Sequence, residues 1–299
     1  MRACVLGGAG FIGAALARHL VLAGWDVAVY DDLSTGHTIT PGTWFTRYAL
    51  EQHVTLTGYD VVYNLASPTG PRRVIDIPVK TILTNIVAAR SALESSARVI
   101  QASTAEVYGN PTVFPQPETY TGNVEPASLK ACYDESKRCS ESLCVAYHHE
   151  RGVSVGIARL FNVYGPGMAV DDGRVVPNMV KQAVRNEPVT LYGDGLQTRS
   201  FCYISDIVAG LVTLASSKEM GPFNLGNPVE INMRDLAATI IELAGSRSTI
   251  EYHAPTEGDS QRRCPDVARA KERLGWTPIV PLRKGLLRTI QAFKETHVN

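Results

Sequence analysis

The chain has 299 residues, about two domains' worth at ~150 residues each. Hydrophobic residues make up 44% and charged residues 19%, which supplies a sizeable core and excludes disorder as the main state. The 29 Lys and Arg balance 29 Asp and Glu, so no surplus charge points to nucleic acid or to an anionic membrane surface. No apolar run approaches the ~18 residues of a membrane span. The first apolar run, Ala3–Leu6, starts too early to leave room for a signal peptide. Cys4, Cys132, Cys139, Cys144, Cys202 and Cys264 form no CxxC and no zinc-like spacing with His. Reduced cysteines in a cytoplasmic protein without a metal are the expectation.

In chain order, Ala3–Leu6 reads as a strand and Phe11–Ala23 as a helix with near-3.6 apolar spacing. Val27–Tyr30 and Asp60–Leu65 are the next strands, then a helix at Val79–Ser95, a strand at Val99–Ser103, a long helix at Tyr133–His149 and a strand at Val153–Leu160. Strands alternating with helices predict a doubly wound, mostly parallel sheet of the Rossmann type in an α/β fold. After about Tyr164 the texture changes. Turn signals at Gly165–Gly167 and at Asp171-Asp172-Gly173 precede helices at Pro177–Asn186, Ser205–Ser216, Met233–Ala244, Lys271–Leu274 and Leu282–Glu295, with one short strand at Val189–Tyr192. The expected division is a dinucleotide-binding domain over 1–164 and a smaller C-terminal substrate-binding lobe over 165–299. The chain is expected to cross back between them.

Gly7, Gly10 and Gly13 are spaced GxxGxxG between the first strand and the first helix. Glycines there permit a tight turn and a close approach to a pyrophosphate, and the helix start offers free N–H groups. Asp31 ends the second strand ~20 residues later, where a carboxylate accepts from both ribose hydroxyls of NAD and repels the 2′-phosphate of NADP. A plain strand–helix turn is the blander reading of the glycines, and a turn-forming pair that of Asp31-Asp32. Tyr133 and Lys137 lie four apart on one face of a helix. A phenol ordinarily titrates near 10, and a neighbouring ammonium lowers that value towards use as a base. Trp25, Trp44 and Trp276 read as packing residues, and His148-His149 as an exposed helix end.

Together the glycine loop, Asp31, Asn64-Leu65-Ala66, the Tyr133/Lys137 pair, Arg159–Gly165 and Arg199–Tyr203 resemble the extended short-chain dehydrogenase/reductase superfamily over nearly the whole chain. The resemblance implies NAD held by Gly7, Gly10, Phe11, Ile12, Gly13, Asp31, Asp32, Leu33, Leu65, Ala66, Ser67, Thr81, Ala102, Tyr133, Lys137 and Val163. Within that superfamily, Thr104-Ala105-Glu106, Ala131–Arg138, Asp172–Val176, Gln197–Phe201 and Phe223–Pro228 are similar to UDP-glucuronate decarboxylases, the UDP-xylose synthases. That implies a UDP-glucuronate substrate, Tyr133 as base and acid, Thr104 on the C4 oxygen, Lys137 on the nicotinamide ribose and Glu106 assisting decarboxylation. It further implies Arg263 on the C6 carboxylate, with Lys80, Asn162, Arg174, Tyr192, Gln197 and Arg199 binding the rest of the UDP-sugar. Pairing of the 79–95 and 133–149 helices across a two-fold axis implies a homodimer.

Three rival reactions stay open: a nucleotide-sugar 4-epimerase, a 4,6-dehydratase, and release of the UDP-4-keto-pentose. A catalytically silent NAD-binding sensor is a fourth reading. Glu106 without a preceding Asp, and Arg263, argue for the decarboxylase. Ala49, Ser136, Gly167 and Arg72-Arg73 depart from the subfamily's pattern, which puts cofactor affinity and sugar preference at issue.

Overall fold

A computed structural model describes residues 1–171, 173–255 and 261–297. In chain order the strands are β1 (Arg2–Leu6), β2 (Asp26–Asp31), β3 (Thr43–Arg47), β4 (Val61–Asn64), β5 (Arg98–Thr104), β6 (Val155–Leu160), β7 (Val163–Tyr164), β8 (Val189–Tyr192), β9 (Thr198–Ser200), β10 (Cys202–Tyr203), β11 (Phe223–Leu225), β12 (Glu230–Asn232), β13 (Ile250–His253) and β14 (Arg262–Arg263). The helices are α1 (Phe11–Leu22), α2 (Pro71–Asp76), α3 (Pro78–Leu93), α4 (Ala131–Arg151), α5 (Val175–Val184), α6 (Ile204–Ser216), α7 (Met233–Ala244), α8 (Ala268–Leu274) and α9 (Leu282–His297).

Seven parallel strands form the main sheet in the order β11-β6-β5-β4-β1-β2-β3. The order reverses between β1 and β4, so a crevice opens there at the carboxyl ends of the strands. Both faces of the sheet are covered, which is why its central strands read as continuous apolar runs. On one face Leu16 and Leu20 of α1 share a core with Ile207, Leu211 and Leu214 of α6. On the other, Ala88 and Ala92 of α3 pack with Cys144 of α4 and Val62 and Val99 of the sheet.

The sheet also takes in two strands that periodicity did not reveal. β3 is an edge strand, and its Trp44 is 70% exposed rather than packed, its indole N–H donating to Asp26 at 2.8 Å. β11 lies past residue 220 and pairs with β6, so the late part of the chain returns to complete the main sheet. The short strands of the lobe serve positioning. β9 lies between β12 and β14, and the register sets Arg263 opposite Arg199. Behind them α5, α7 and α9 share an apolar core that includes Val180, Leu236, Ile240 and Ile290.

Candidate active site

The glycine loop is built so tightly that side chains have no room. A Cβ on Gly13 would stand 2.1 Å from the Gly7 carbonyl oxygen, and one on Gly7, at φ +76°, would stand 2.8 Å from the Ala66 backbone. Gly10 begins α1 with no side-chain cap, so the first N–H groups of the helix keep the donors that a phosphate takes. Phe11 and Ile12 follow, half-buried in that first turn. Asp31 ends β2 facing the same loop, accepting from the Ala9 N–H at 3.0 Å and the Leu33 N–H at 2.8 Å. Burial raises its carboxyl, and those two backbone donors work against the rise. Leu33 adopts a left-handed backbone (φ 59°) that turns its N–H back onto Asp31. Leu65, Ala66 and Ser67 follow β4 across the crevice, with Leu65 N–H donating to Leu6. The residues present therefore fit a dinucleotide: a cradle that only glycine permits, uncapped helix donors, and a carboxylate at the end of the second strand.

Two neighbours of this cradle are engaged differently from what the sequence suggested. Lys80, expected on the substrate, sits 2.8 Å from Asp32 and 3.5 Å from Glu51. Two carboxylates at that edge of the sheet draw the ammonium to the cofactor side. Asp32 is partly buried, which raises its carboxyl, but Lys80 and Ser34 carry it below the ordinary value. The Thr81 hydroxyl is buried and donates to the carbonyl of Ile77, the residue before α3, leaving the side chain as packing. Arg73, in the divergent segment, closes on the Ser34 carbonyl at 2.7 Å.

The reacting end of the crevice is assembled by β5 and α4. Thr104 terminates β5, and its hydroxyl accepts from the Glu106 N–H at 3.2 Å and works against the rise of the Tyr133 phenol. Lys137 is buried one turn further along α4, donates to the Ala102 carbonyl at 3.0 Å, and lies 5.9 Å from the Tyr133 ring centre. Burial, rather than this ammonium, has the largest influence on the phenol. Burial pushes Tyr133 up to about 12, opposed by Thr104 and Arg174, and burial brings Lys137 down to about 8. Desolvation disfavours the charged form of both groups.

Glu106 is the most strongly held carboxylate here. Its Oε1 is bonded by the Arg263 guanidinium, and its Oε2 lies 3.0 Å from the Lys130 ammonium. Burial alone would raise the carboxyl, but the two cations bring it down to about 2. Arg263, 5% exposed, also donates to the Gly109 carbonyl at 3.1 Å. Asp134, 4% exposed, lies in the same cluster, and its Oδ1 has no hydrogen-bond partner among the described residues. Burial and the nearby Glu106 raise it to about 7. Lys130 and Asp134 were not among the expected site residues. The one signal in the sequence was the helical spacing of Lys130 from Tyr133 and Lys137; Asp134, adjacent to Tyr133, had none.

The remaining expected substrate residues line the lobe side. Arg174, the residue before α5, lies with its guanidinium 5.9 Å from the Phe11 ring centre and acts electrostatically on Tyr133. Asn162 donates to the Ser200 carbonyl at 2.8 Å, and Val163 is buried in β7. Arg199 lies beside Arg263 in the β9–β14 pair. Tyr192 is exposed, its ring tilted against His253, and Gln197 donates to its carbonyl at 3.0 Å. Asp172, part of a matched segment, lies outside the described residues. Gly167 has φ +91°, a conformation that a branched or long side chain adopts only with strain, so the glycine is suited to its own turn.

Asp134 gives a stability prediction. Its carboxyl titrates at 3.8 when solvated and at about 7 in the fold. The folded form therefore binds the proton more tightly, and stability falls as pH rises from the first value through the second. Asp134→Asn is expected to raise stability by about 1–3 kcal/mol near pH 8, a gain that vanishes near pH 4. Thermal unfolding of both chains across that range checks it, and an Asn variant no more stable at alkaline pH contradicts the assignment.

A glycine cradle, an acid at the end of the second strand, and a Tyr–Lys pair beside a strand-end Thr define a nicotinamide-dependent oxidoreductase-type site on an extended Rossmann fold. The chain belongs to the NAD dependent epimerase/dehydratase family, whose model matches residues 3–226. It is 45% identical to UDP-glucuronic acid decarboxylase 4 of Arabidopsis thaliana, over 99% of this chain and 69% of that protein. Among solved structures it is similar to a UDP-glucose 4-epimerase of Thermotoga maritima with UDP-glucose (TM-score 0.91, 27% identity, 99% of both chains). It is also similar to a UDP-glucuronic acid 4-epimerase of Bacillus cereus in complex with UDP-glucuronic acid and NAD (TM-score 0.85, 26% identity, 99% of this chain and 100% of that one).

Proposed function

We propose that the chain converts UDP-glucuronate to UDP-xylose by oxidation at C4, loss of the C6 carboxylate and re-reduction. The observation that carries the reading is Glu106, bracketed by Arg263 and Lys130 and set beside Thr104 and Tyr133. An epimerase acting on neutral sugars has no use for a seat of two cations next to the C4 site. The identity to decarboxylases over the whole chain supports the same choice.

Bound at the glycine cradle, NAD supplies a hydride acceptor at C4, returns the hydride at the end, and in its oxidised form adds a positive charge near the site. Tyr133 takes the C4 hydroxyl proton in the first half and gives it back in the last. Thr104 holds the C4 oxygen against the phenol. Oxidation leaves a ketone β to the carboxylate, so the C5–C6 bond breaks with its electron pair passing into an enolate and carbon leaving as CO₂. The enolate then takes a proton at C5. Glu106, held ionised by its two cations, orients the water that delivers this proton, and the hydroxide left behind takes a proton from solvent, so the cycle consumes one proton overall. Lys137 positions the ribose, and Arg263 faces the departing carboxylate. A positioned proton-transfer group of this kind contributes ~10²–10⁴-fold.

In this reading residues 1–164 hold the cofactor and 165–299 the UDP-sugar, with β11 returning to the main sheet. The cysteines, all free, support a reducing cytoplasm. Among the described residues no helix is long and apolar enough to cross a membrane. α3 and α4 expose Val79, Ile82, Leu83 and Val145, which supports a homodimer paired through these helices; a monomer mass by light scattering removes that part.

The experiment is incubation of the purified chain with UDP-glucuronate and NAD, followed by mass spectrometry of the sugar and by CO₂ release. Loss of CO₂ with no net NADH is the expected result. Loss of CO₂ and two hydrogens with one NADH per turnover gives release of the 4-keto-pentose instead. No reaction, with interconversion of UDP-glucose and UDP-galactose, overturns the reading in favour of an epimerase.

A further inference from the structure

The Glu106 cluster has an uneven charge. Lys130 and Arg263 each carry +1, and Glu106 carries −1. Two cations therefore meet on one carboxylate, with Asp134 buried nearby and one of its oxygens unpartnered among the described residues. The two cations differ in reach. Arg263 is buried and already bonds Glu106 and the Gly109 carbonyl. The Lys130 side chain is 51% exposed, and its ammonium pairs with the Glu106 carboxylate at 3.0 Å. Lys130 immediately precedes α4 and lies three residues before Tyr133 and seven before Lys137, so all three share one face. Three residues along the helix, a rise of about 4.5 Å in the backbone, place Lys130 on the side of Tyr133 towards the start of α4.

We propose that Lys130 is the specificity-determining residue of this site: its ammonium, together with Arg263, binds the C6 carboxylate of a uronate sugar and discriminates against sugars that are neutral at C6. The inference rests on the functional reading above and adds to it a residue and a role. The carboxylate leaves as neutral CO₂, so a bond to it is made in the ground state and lost along the reaction. Removing such a bond weakens binding more than it slows chemistry. A residue that served only to hold Glu106 would behave in the opposite way, because its loss would disturb proton delivery and lower kcat.

The test uses the full chain loaded with NAD and three forms of position 130: Lys, Lys130→Met and Lys130→Arg. Titration calorimetry gives Kd for UDP-glucuronate and for UDP-glucose, and initial rates give KM and kcat for UDP-glucuronate. Lys130→Met is expected to weaken UDP-glucuronate by ~10- to 100-fold, the worth of a hydrogen bond between charged groups. UDP-glucose binding changes by no more than about twofold, a small difference on the same scale. The loss falls on Kd and KM more than on kcat, and Lys130→Arg restores most of the preference. Equal weakening of both sugars, or a fall confined to kcat, overturns the proposal in favour of a structural role through Glu106. An unmodified chain that binds UDP-glucose as tightly as UDP-glucuronate overturns the functional reading first, and this inference with it.

Discussion

Turnover of UDP-glucuronate is expected to fall by about 10²–10⁴-fold when Tyr133 is replaced by Phe, with binding of NAD and of the UDP-sugar retained. In the proposed reaction the phenol exchanges a proton with the C4 oxygen, which Thr104 at the end of β5 holds in place. Phe keeps the ring and its packing on α4 while deleting that proton. Burial lifts the phenol to about 12, opposed by Thr104 and Arg174, while Lys137 donates to the Ala102 carbonyl. Single-turnover measurement of NADH formation separates this step from binding. A Tyr133→Phe chain that still oxidises C4 at near the normal rate removes Tyr133 from the chemistry.

The second large effect is expected at Arg263. Replacing it with Met leaves Glu106 on Lys130 alone and the Gly109 carbonyl without its donor. Breaking a buried charge pair on one side costs about 3–5 kcal/mol. The pH dependence has a definite sign. Glu106 titrates at 4.5 in the unfolded chain and near 2 in the fold, so the pair's contribution is full above the first value and lost as pH falls through the second. The gap in Tm between the two chains should hold steady from neutral pH down to about pH 5 and narrow below it. Decarboxylation should fall with it, because Glu106 loses the cation that fixes it. Retention of both stability and decarboxylation in Arg263→Met contradicts the role given to this pair.

Much of this architecture was legible in the residues. The buried strands β1, β2, β4, β5 and β6 carry continuous apolar runs, and the helices between them show a 3.6 period, so the cofactor half read correctly within a few residues at each end. β3 escaped notice because an edge strand has one wet side and alternates weakly. The lobe's strands of two or three residues are too short for any period to appear. Their pairing is set by tertiary contact, which is also why the juxtaposition of Arg199 with Arg263 became visible only through the β9–β14 register.

The site divides along the same line. Gly7, Gly13, Thr104, Tyr133 and Lys137 are bound to their elements by local geometry, and local geometry is written in spacing. Lys80 was drawn to Asp32 across 48 residues, and nothing near Lys80 in the sequence announces that partner. Lys130, just before the start of α4, was not among the expected site residues. Its meaning depends on Glu106, which reaches it from the end of a different strand.

The most direct test of redox-neutral decarboxylation is to follow deuterium placed at C4 of UDP-glucuronate. The account predicts that the label leaves C4 during oxidation and returns to C4 of the UDP-xylose formed, with no labelled NADH accumulating in solution. Label recovered in free NADH, with an unlabelled or 4-keto product, would contradict it.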